Sequence, residues 1–96
     1  MKLNTSLISL LITSLTYRQA AEAAKLQGNE FYKTGEYDKA IEFYTQAINL
    51  QPLCAVYYGN RSAALMMIEK YSQALDDCTR SVQRDEKYTK VKILLI

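Results

Sequence analysis

Apolar residues recur every three or four positions along most of the chain, the spacing that places side chains on one face of an α-helix. Four segments show this pattern, at about 17–33, 37–50, 53–68 and 71–84, and a shorter one covers 88–96. Gly35 and Pro52 separate the first three segments, because glycine commonly ends a helix and proline cannot continue one. The pattern predicts an all-α fold of short helices joined by tight turns.

The segments form two copies of one unit. When the chain is shifted by 34 residues, Tyr37 aligns with Tyr71 and Ala40 with Ala74. The matching positions are small or apolar, as expected for positions that set how closely helices pack. Each unit is therefore predicted to be an antiparallel helix pair. We divide the chain into an N-terminal extension (1–16), a first repeat (17–54), a second repeat (55–88) and the start of a third (89–96).

The N-terminal extension has more than one interpretation. Lys2 precedes a run rich in leucine and isoleucine, which resembles a weak signal peptide although serines and threonines interrupt it. The run is too short to span a bilayer, which takes about 20 apolar residues. It is otherwise a helical or frayed extension, with Leu7, Leu11 and Leu15 on one helix face, or an artefact of the gene boundary.

Composition and charge narrow the function classes. The 12 basic and 10 acidic residues leave a net charge of +2, which gives no electrostatic reason to expect nucleic acid or a membrane surface as a partner. There is no histidine, so the commonest general base and metal ligand is missing, and we expect no cofactor or metal. Cys54 and Cys78 lack zinc-type spacing and are expected to be buried thiols. These features favour a binding module over an enzyme.

Two polar residues of the first segment are not needed for packing. Lys25 and Asn29 are four residues apart, so they share a helix face. Asn60 lies in the equivalent helix of the second unit, and Lys90 lies at the start of the third. In stacked helix pairs the first helices line the concave surface, so these four side chains are predicted to converge in one groove. Ammonium and amide groups suit a carboxylate, and a peptide C-terminus is a natural candidate.

Three expectations concern packing. The apolar stripe of the first helix is predicted to include Ala20, Ala24, Gln27, Gly28 and Phe31. Tyr44 is expected to pack through its ring while its hydroxyl reaches water. The adjacent acids at 76 and 77 are expected to be solvated.

The small and aromatic positions resemble the tetratricopeptide repeat. In the first unit these positions are Ala24, Gly28, Phe31, Ala40, Tyr44, Ala47 and Pro52. The second unit is a looser match, with Tyr58, Ser62, Leu65, Ala74, Cys78, Ser81 and Glu86. The resemblance covers about residues 18–92 and implies antiparallel helix pairs stacked in a right-handed superhelix.

The polar positions are similar to the two-carboxylate clamp of chaperone-binding tetratricopeptide domains. The stretch CAVYYGNRSAALMM is particularly similar to J-domain co-chaperones that carry these repeats, and it is also like the Hsp-organising adaptors. The resemblance implies that Lys25, Asn29, Asn60 and Lys90 grip the Glu-Glu-Val-Asp type of C-terminus of a cytosolic heat-shock chaperone, and that the protein is cytoplasmic. The family has a further basic residue one turn after Lys90, where this chain has Leu94.

Tyr32, Ala63 and Met66 are expected to line the peptide groove one turn beyond the asparagines, or else to be ordinary core. The alternative function is a structural scaffold that docks through apolar surfaces without binding a carboxylate. Because the third repeat is unfinished, Leu75, Cys78 and Val82 are expected to be partly uncovered unless Val91, Leu94 and Leu95 pack there. About three repeats are normally needed for stability, so this favours marginal folding or self-association. If the N-terminal run acts as a signal, the protein is secreted instead.

Overall fold

In the computed structural model, residues 4–84 are described and form four α-helices. Helix α1 covers Thr5–Lys33, α2 covers Tyr37–Leu50, α3 covers Ala55–Met67 and α4 covers Tyr71–Arg84. No strand occurs between residues 4 and 84, so the all-α prediction is confirmed for this part of the chain. The predicted start of a third repeat lies outside the described residues, together with Lys90 and Leu94.

The helices pack as two pairs, α1 with α2 and α3 with α4, and α2 packs against α3. One buried cluster joins the first three helices and consists of Ala21, Ala24, Ala47, Ile48, Tyr57 and Tyr58. A second cluster consists of Ala40, Tyr44 and Ala64. The alanines let the helix backbones approach closely while the tyrosine rings fill the remaining space. The predicted packing stripe is wrong at Ala20 and Gln27, which are exposed, and Ala21 occupies the buried position that was expected for Ala20.

The same kind of turn ends α1 and α3. After α1, Gly35 adopts a φ of 81°, and the next residue donates its backbone N–H to the carbonyl of Phe31 at 2.9 Å. After α3, Glu69 adopts a φ of 63°, and the next residue donates its N–H to the carbonyl of Leu65 at 2.9 Å. Both turns are Schellman motifs, in which a left-handed residue satisfies the last helix carbonyls. The motif therefore repeats at the same 34-residue spacing as the packing positions.

Helix α1 is much longer than its partner. At a rise of about 1.5 Å per residue, its 29 residues span about 43 Å, whereas the 14 residues of α2 span about 21 Å. Every residue from Asn4 to Ala20 is exposed, including Leu7, Leu11 and Leu15. The Asn4 side chain caps this end by accepting a hydrogen bond from the backbone N–H of Ser6 at 2.9 Å. No helix among the described residues is long and apolar enough to cross a membrane.

Candidate functional site

Two amide side chains from different helices meet between α1 and α3. The Nδ2 atom of Asn60 lies 3.5 Å from Oδ1 of Asn29, which is the long limit of a hydrogen bond. Both residues are half-buried. The structure thus brings together two of the four residues that the sequence predicted for the carboxylate site.

Asn29 also contacts the second helix of its own repeat. The hydroxyl of Tyr44 donates a hydrogen bond to Oδ1 of Asn29 at 2.5 Å. Tyr44 is only 2% exposed, so the expectation that its hydroxyl reaches water is wrong. A buried hydroxyl requires a hydrogen-bond partner, and Asn29 supplies it.

Lys25 is held by a carboxylate within its own helix. Its Nζ lies 2.8 Å from Oε2 of Glu22, and the hydroxyl of Tyr57 donates to Oε1 of the same carboxylate at 2.8 Å. The hydrogen bond from Lys25, and then the one from Tyr57, lowers the pKa of Glu22 below its ordinary value. Burial, and then the bond to Glu22, raises the pKa of Tyr57 far above its ordinary value. The three groups form a bridge between α1 and α3 beside the two asparagines.

The three predicted groove residues lie in different surroundings. Tyr32 is half-buried and packs edge-on against the ring of Tyr37, with ring centroids 5.3 Å apart. Ala63 and Met66 are exposed on α3, at three and six residues after Asn60. Exposure on α3 is compatible with contact to a ligand, and the role of all three in a groove stays a prediction.

A salt bridge elsewhere in the fold was not expected from the sequence. Asp77 is 2% exposed and accepts two hydrogen bonds from the guanidinium of Arg61, so the expectation that it is solvated is wrong. Its neighbour Asp76 is exposed, as expected. The salt bridge lies beside a cleft of about 310 Å³ between α2, α3 and α4, which Ile41 and Arg80 also line.

The metal-ligating side chains do not gather into a site. Between residues 4 and 84 no group of three or more Cys, Asp and Glu side chains is placed to hold a metal ion. Cys54 and Cys78 are half-buried, less than expected for core thiols, and no disulfide joins them.

Three residues around the predicted site were not expected to contact it, namely Glu22, Tyr44 and Tyr57. Glu22 precedes Lys25 by three residues, so their contact on one helix face was available as a signal. Tyr44 and Tyr57 carried no comparable signal, because their hydroxyls reach residues 15 and 35 positions away.

Comparison with known proteins supports the repeat assignment. The tetratricopeptide repeat model matches residues 21–53. Human serine/threonine-protein phosphatase 5 is 50% identical over 70 residues, which are 73% of this chain and 14% of that protein. Human DnaJ homolog subfamily C member 7 is 41% identical over 73 residues, which are 76% of this chain and 15% of that protein. The chain therefore spans only a small part of the length of these relatives.

A solved domain has a similar structure over most of this chain. The second TPR of Spaghetti (RPAP3), bound to the HSP90 peptide SRMEEVD, has a TM-score of 0.73 and 40% sequence identity to this chain. The match covers 76% of this chain and 68% of that domain. The two stacked helix pairs, the matched repeat model and the identity to this solved domain together show that the chain belongs to the tetratricopeptide repeat family.

Proposed function

We propose that this chain is a non-enzymatic binding module that grips the acidic C-terminal peptide of a cytosolic heat-shock chaperone. In this proposal the ammonium of Lys25 and the amides of Asn29 and Asn60 bind carboxylate oxygens of the last peptide residue. Lys90, which lies outside the described residues, supplies a second ammonium.

The observation that carries the proposal is the meeting of two amide side chains from different helices. Asn29 and Asn60 are 31 residues apart in sequence, yet their amides meet at 3.5 Å. Lys25, one turn before Asn29, already holds a carboxylate oxygen at 2.8 Å. Two amide donors with an ammonium one helical turn away are the donor set that a C-terminal carboxylate requires, and this supports the proposal.

The similarity to the RPAP3 domain supports the choice of peptide. That domain is bound to an HSP90 peptide ending in Glu-Glu-Val-Asp, and it is 40% identical to this chain. A terminal aspartate carries two carboxylates within a few ångströms, matching a site that offers several donors. Tyr32, Ala63 and Met66 would contact the apolar side chains that precede it.

The test is a calorimetric titration with the peptide SRMEEVD and with the same peptide amidated at its C-terminus. We expect the free acid to bind with micromolar-scale affinity, about −8 kcal/mol. Amidation removes one carboxylate charge, so binding should weaken sharply. Equal affinity for both peptides would contradict the proposal.

A pair of lysine variants tests the site itself. Lys25→Ala should weaken binding by about tenfold or more, because a charge-assisted hydrogen bond contributes about 1.5–3 kcal/mol. Lys39→Ala is the matched control, since Lys39 also pairs with a glutamate three residues earlier, at 3.5 Å, but lies on α2. Both variants remove one positive charge and one ion pair with a glutamate three residues earlier, so an equal loss would point to general electrostatics instead of this site.

The alternative of a structural scaffold is favoured by a specific observation. Large apolar side chains at both ends of the described residues are more than half exposed, among them Leu10, Leu11, Ile12 and Leu75. Apolar exposure of this extent favours contact with another protein surface or with a second copy. A chain that self-associates in sedimentation velocity experiments and binds neither peptide would support the scaffold.

A further inference from the structure

We infer that Tyr44 is a positioning residue for the proposed carboxylate site, because its hydroxyl sets which end of the Asn29 amide faces the groove. This inference rests on the proposed function. The two ends of an asparagine side chain differ, since the oxygen only accepts hydrogen bonds and the nitrogen only donates them. Only the nitrogen end can bind a carboxylate, so a site built on Asn29 needs that end turned outward.

The hydrogen bonds fix this orientation. The hydroxyl of Tyr44 donates to Oδ1 of Asn29 at 2.5 Å, and Nδ2 of Asn60 approaches the same oxygen at 3.5 Å. Turning the Asn29 amide over would place its NH₂ group against the NH₂ group of Asn60, donor against donor. With the oxygen held by these two donors, the nitrogen lies on the opposite side of the Asn29 amide, where the proposed ligand would bind.

The ring that carries the hydroxyl is itself held in place. A Cβ atom at Gly28 would lie 2.6 Å from Cε1 and 2.8 Å from Cδ1 of Tyr44, so the ring rests directly on the α1 backbone one residue before Asn29. Tyr44 is 2% exposed, which leaves the ring little freedom to move. Burial, and secondarily Tyr32, raises the pKa of Tyr44, so its hydroxyl stays protonated and able to donate at neutral pH.

The two repeats differ at these positions together. With the 34-residue spacing, the second unit has Ala63 in place of Asn29 and Cys78 in place of Tyr44. The unit without the amide also lacks the tyrosine hydroxyl that would orient it. Packing alone does not require the hydroxyl, because a phenylalanine ring would fill the same space. The hydroxyl is therefore explained by what it does to Asn29.

The test is Tyr44→Phe, which keeps the ring and removes the hydroxyl, titrated with SRMEEVD. We expect about a tenfold loss of affinity, since the Asn29 amide is no longer held with its nitrogen toward the peptide. Tyr58→Phe is the matched control, because Tyr58 is also buried and its hydroxyl donates to the carbonyl of Pro52 at 2.8 Å. Tyr58→Phe should leave the affinity unchanged, and circular dichroism melts verify that both variants are folded.

A double-mutant cycle separates positioning from a structural effect. If Tyr44 acts through Asn29, adding Tyr44→Phe to Asn29→Ala should change the affinity by less than about twofold, because the orientation no longer matters. The same tenfold loss in both backgrounds would overturn the inference, and so would wild-type affinity in the single variant. A wild-type protein that does not bind the peptide would overturn the proposed function as well, so the two failures are distinguishable.

Discussion

Arg61 on α3 holds the carboxylate of Asp77 on α4 with two hydrogen bonds, of 2.6 and 2.7 Å. A third bond from the same guanidinium reaches the hydroxyl of Thr45 on α2 at 3.2 Å. Asp77 is 2% exposed, so its charge is stable only because this geometry satisfies it. The network joins the second helix of the first repeat to both helices of the second.

Asp77→Asn should strongly destabilise the fold. The change leaves the guanidinium of Arg61 without its carboxylate, and breaking a buried pair on one side costs about 3–5 kcal/mol of unfolding free energy. Asp76→Asn is the control, because Asp76 is the exposed neighbour and should change stability by less than about 0.5 kcal/mol. Urea denaturation followed by circular dichroism measures the stability of both variants. Similar midpoints for Asp77→Asn and Asp76→Asn would show that the salt bridge does not stabilise the fold.

Alanine at the two helical glycines should have opposite effects. Gly28→Ala should lower the unfolding free energy by about 1–3 kcal/mol, because the new Cβ would lie 2.6 Å from the ring of Tyr44. Gly59→Ala should be neutral or stabilising by up to about 1 kcal/mol, since its Cβ would meet only the hydroxyl of Ser81, at 3.4 Å, and alanine favours the helix. Thermal melts of the two variants test this, and a shift of the same sign in both would contradict it.

Glu69→Gly should stabilise the turn after α3. Glu69 has a φ of 63°, a left-handed conformation that costs a residue with a side chain about 1–2 kcal/mol and costs glycine little. Allowing for the greater backbone entropy of glycine, we expect a gain of about 0.5–1 kcal/mol, measured by chemical denaturation. Gly35→Ala, at the equivalent turn, should destabilise by a similar amount. A lower denaturation midpoint for Glu69→Gly than for the wild type would show that the left-handed conformation of Glu69 does not cost stability.

The bridge at Glu22 makes part of the stability depend on pH. Because Lys25 and Tyr57 lower the pKa of Glu22 from its ordinary 4.5, the folded chain binds a proton there less readily than the unfolded chain. The contribution is therefore complete above that ordinary value and is lost as the pH falls through the lowered pKa. It should be about 1 kcal/mol or less, since the Glu22 side chain is 48% exposed.

Glu22→Gln isolates this contribution. At neutral pH the wild type should be more stable than the variant in urea denaturation, because glutamine carries no charge for Lys25. As the pH is lowered from neutral to below 4.5 the difference should shrink, since the unfolded chain then binds a proton at Glu22 more readily than the folded chain. A difference that stays constant between these pH values would exclude the carboxylate as its source.

Most helix limits could be predicted from the sequence because they are local properties, but α1 begins at Thr5 and not near residue 17. Gly35 and Pro52 mark turns by their own backbone chemistry, and the spacing of small residues marks which helices pair. It was harder to predict which residues of α1 face the core, because neighbouring residues on a helix point in directions that differ by about 100°. That is why Ala20 was expected in the stripe that Ala21 occupies.

For the site, the sequence predicted which residues share a helix face and which occupy equivalent helices, but not the contacts that other helices make with them. The pairing of Asn29 with Asn60 follows from the stacking of equivalent helices, and the structure agrees. The hydroxyl of Tyr44 on Asn29 was not predicted, because its direction depends on how α2 packs across α1. Asp76 and Asp77 are the same residue type in adjacent positions, but Asp77 lies on the buried face of α4 with Ala74 and Ser81, where Arg61 of another helix pairs with it.

The contact between Gly28 and the ring of Tyr44 implies that these two positions are free to change only together. In the second repeat the same positions hold Ser62 and Cys78, a larger residue in place of the glycine and a smaller one in place of the tyrosine. The distance between paired helices therefore limits the combined size of the two side chains at these positions. A chain that enlarged Gly28 and kept the ring of Tyr44 would have to move a helix to accommodate the added atoms.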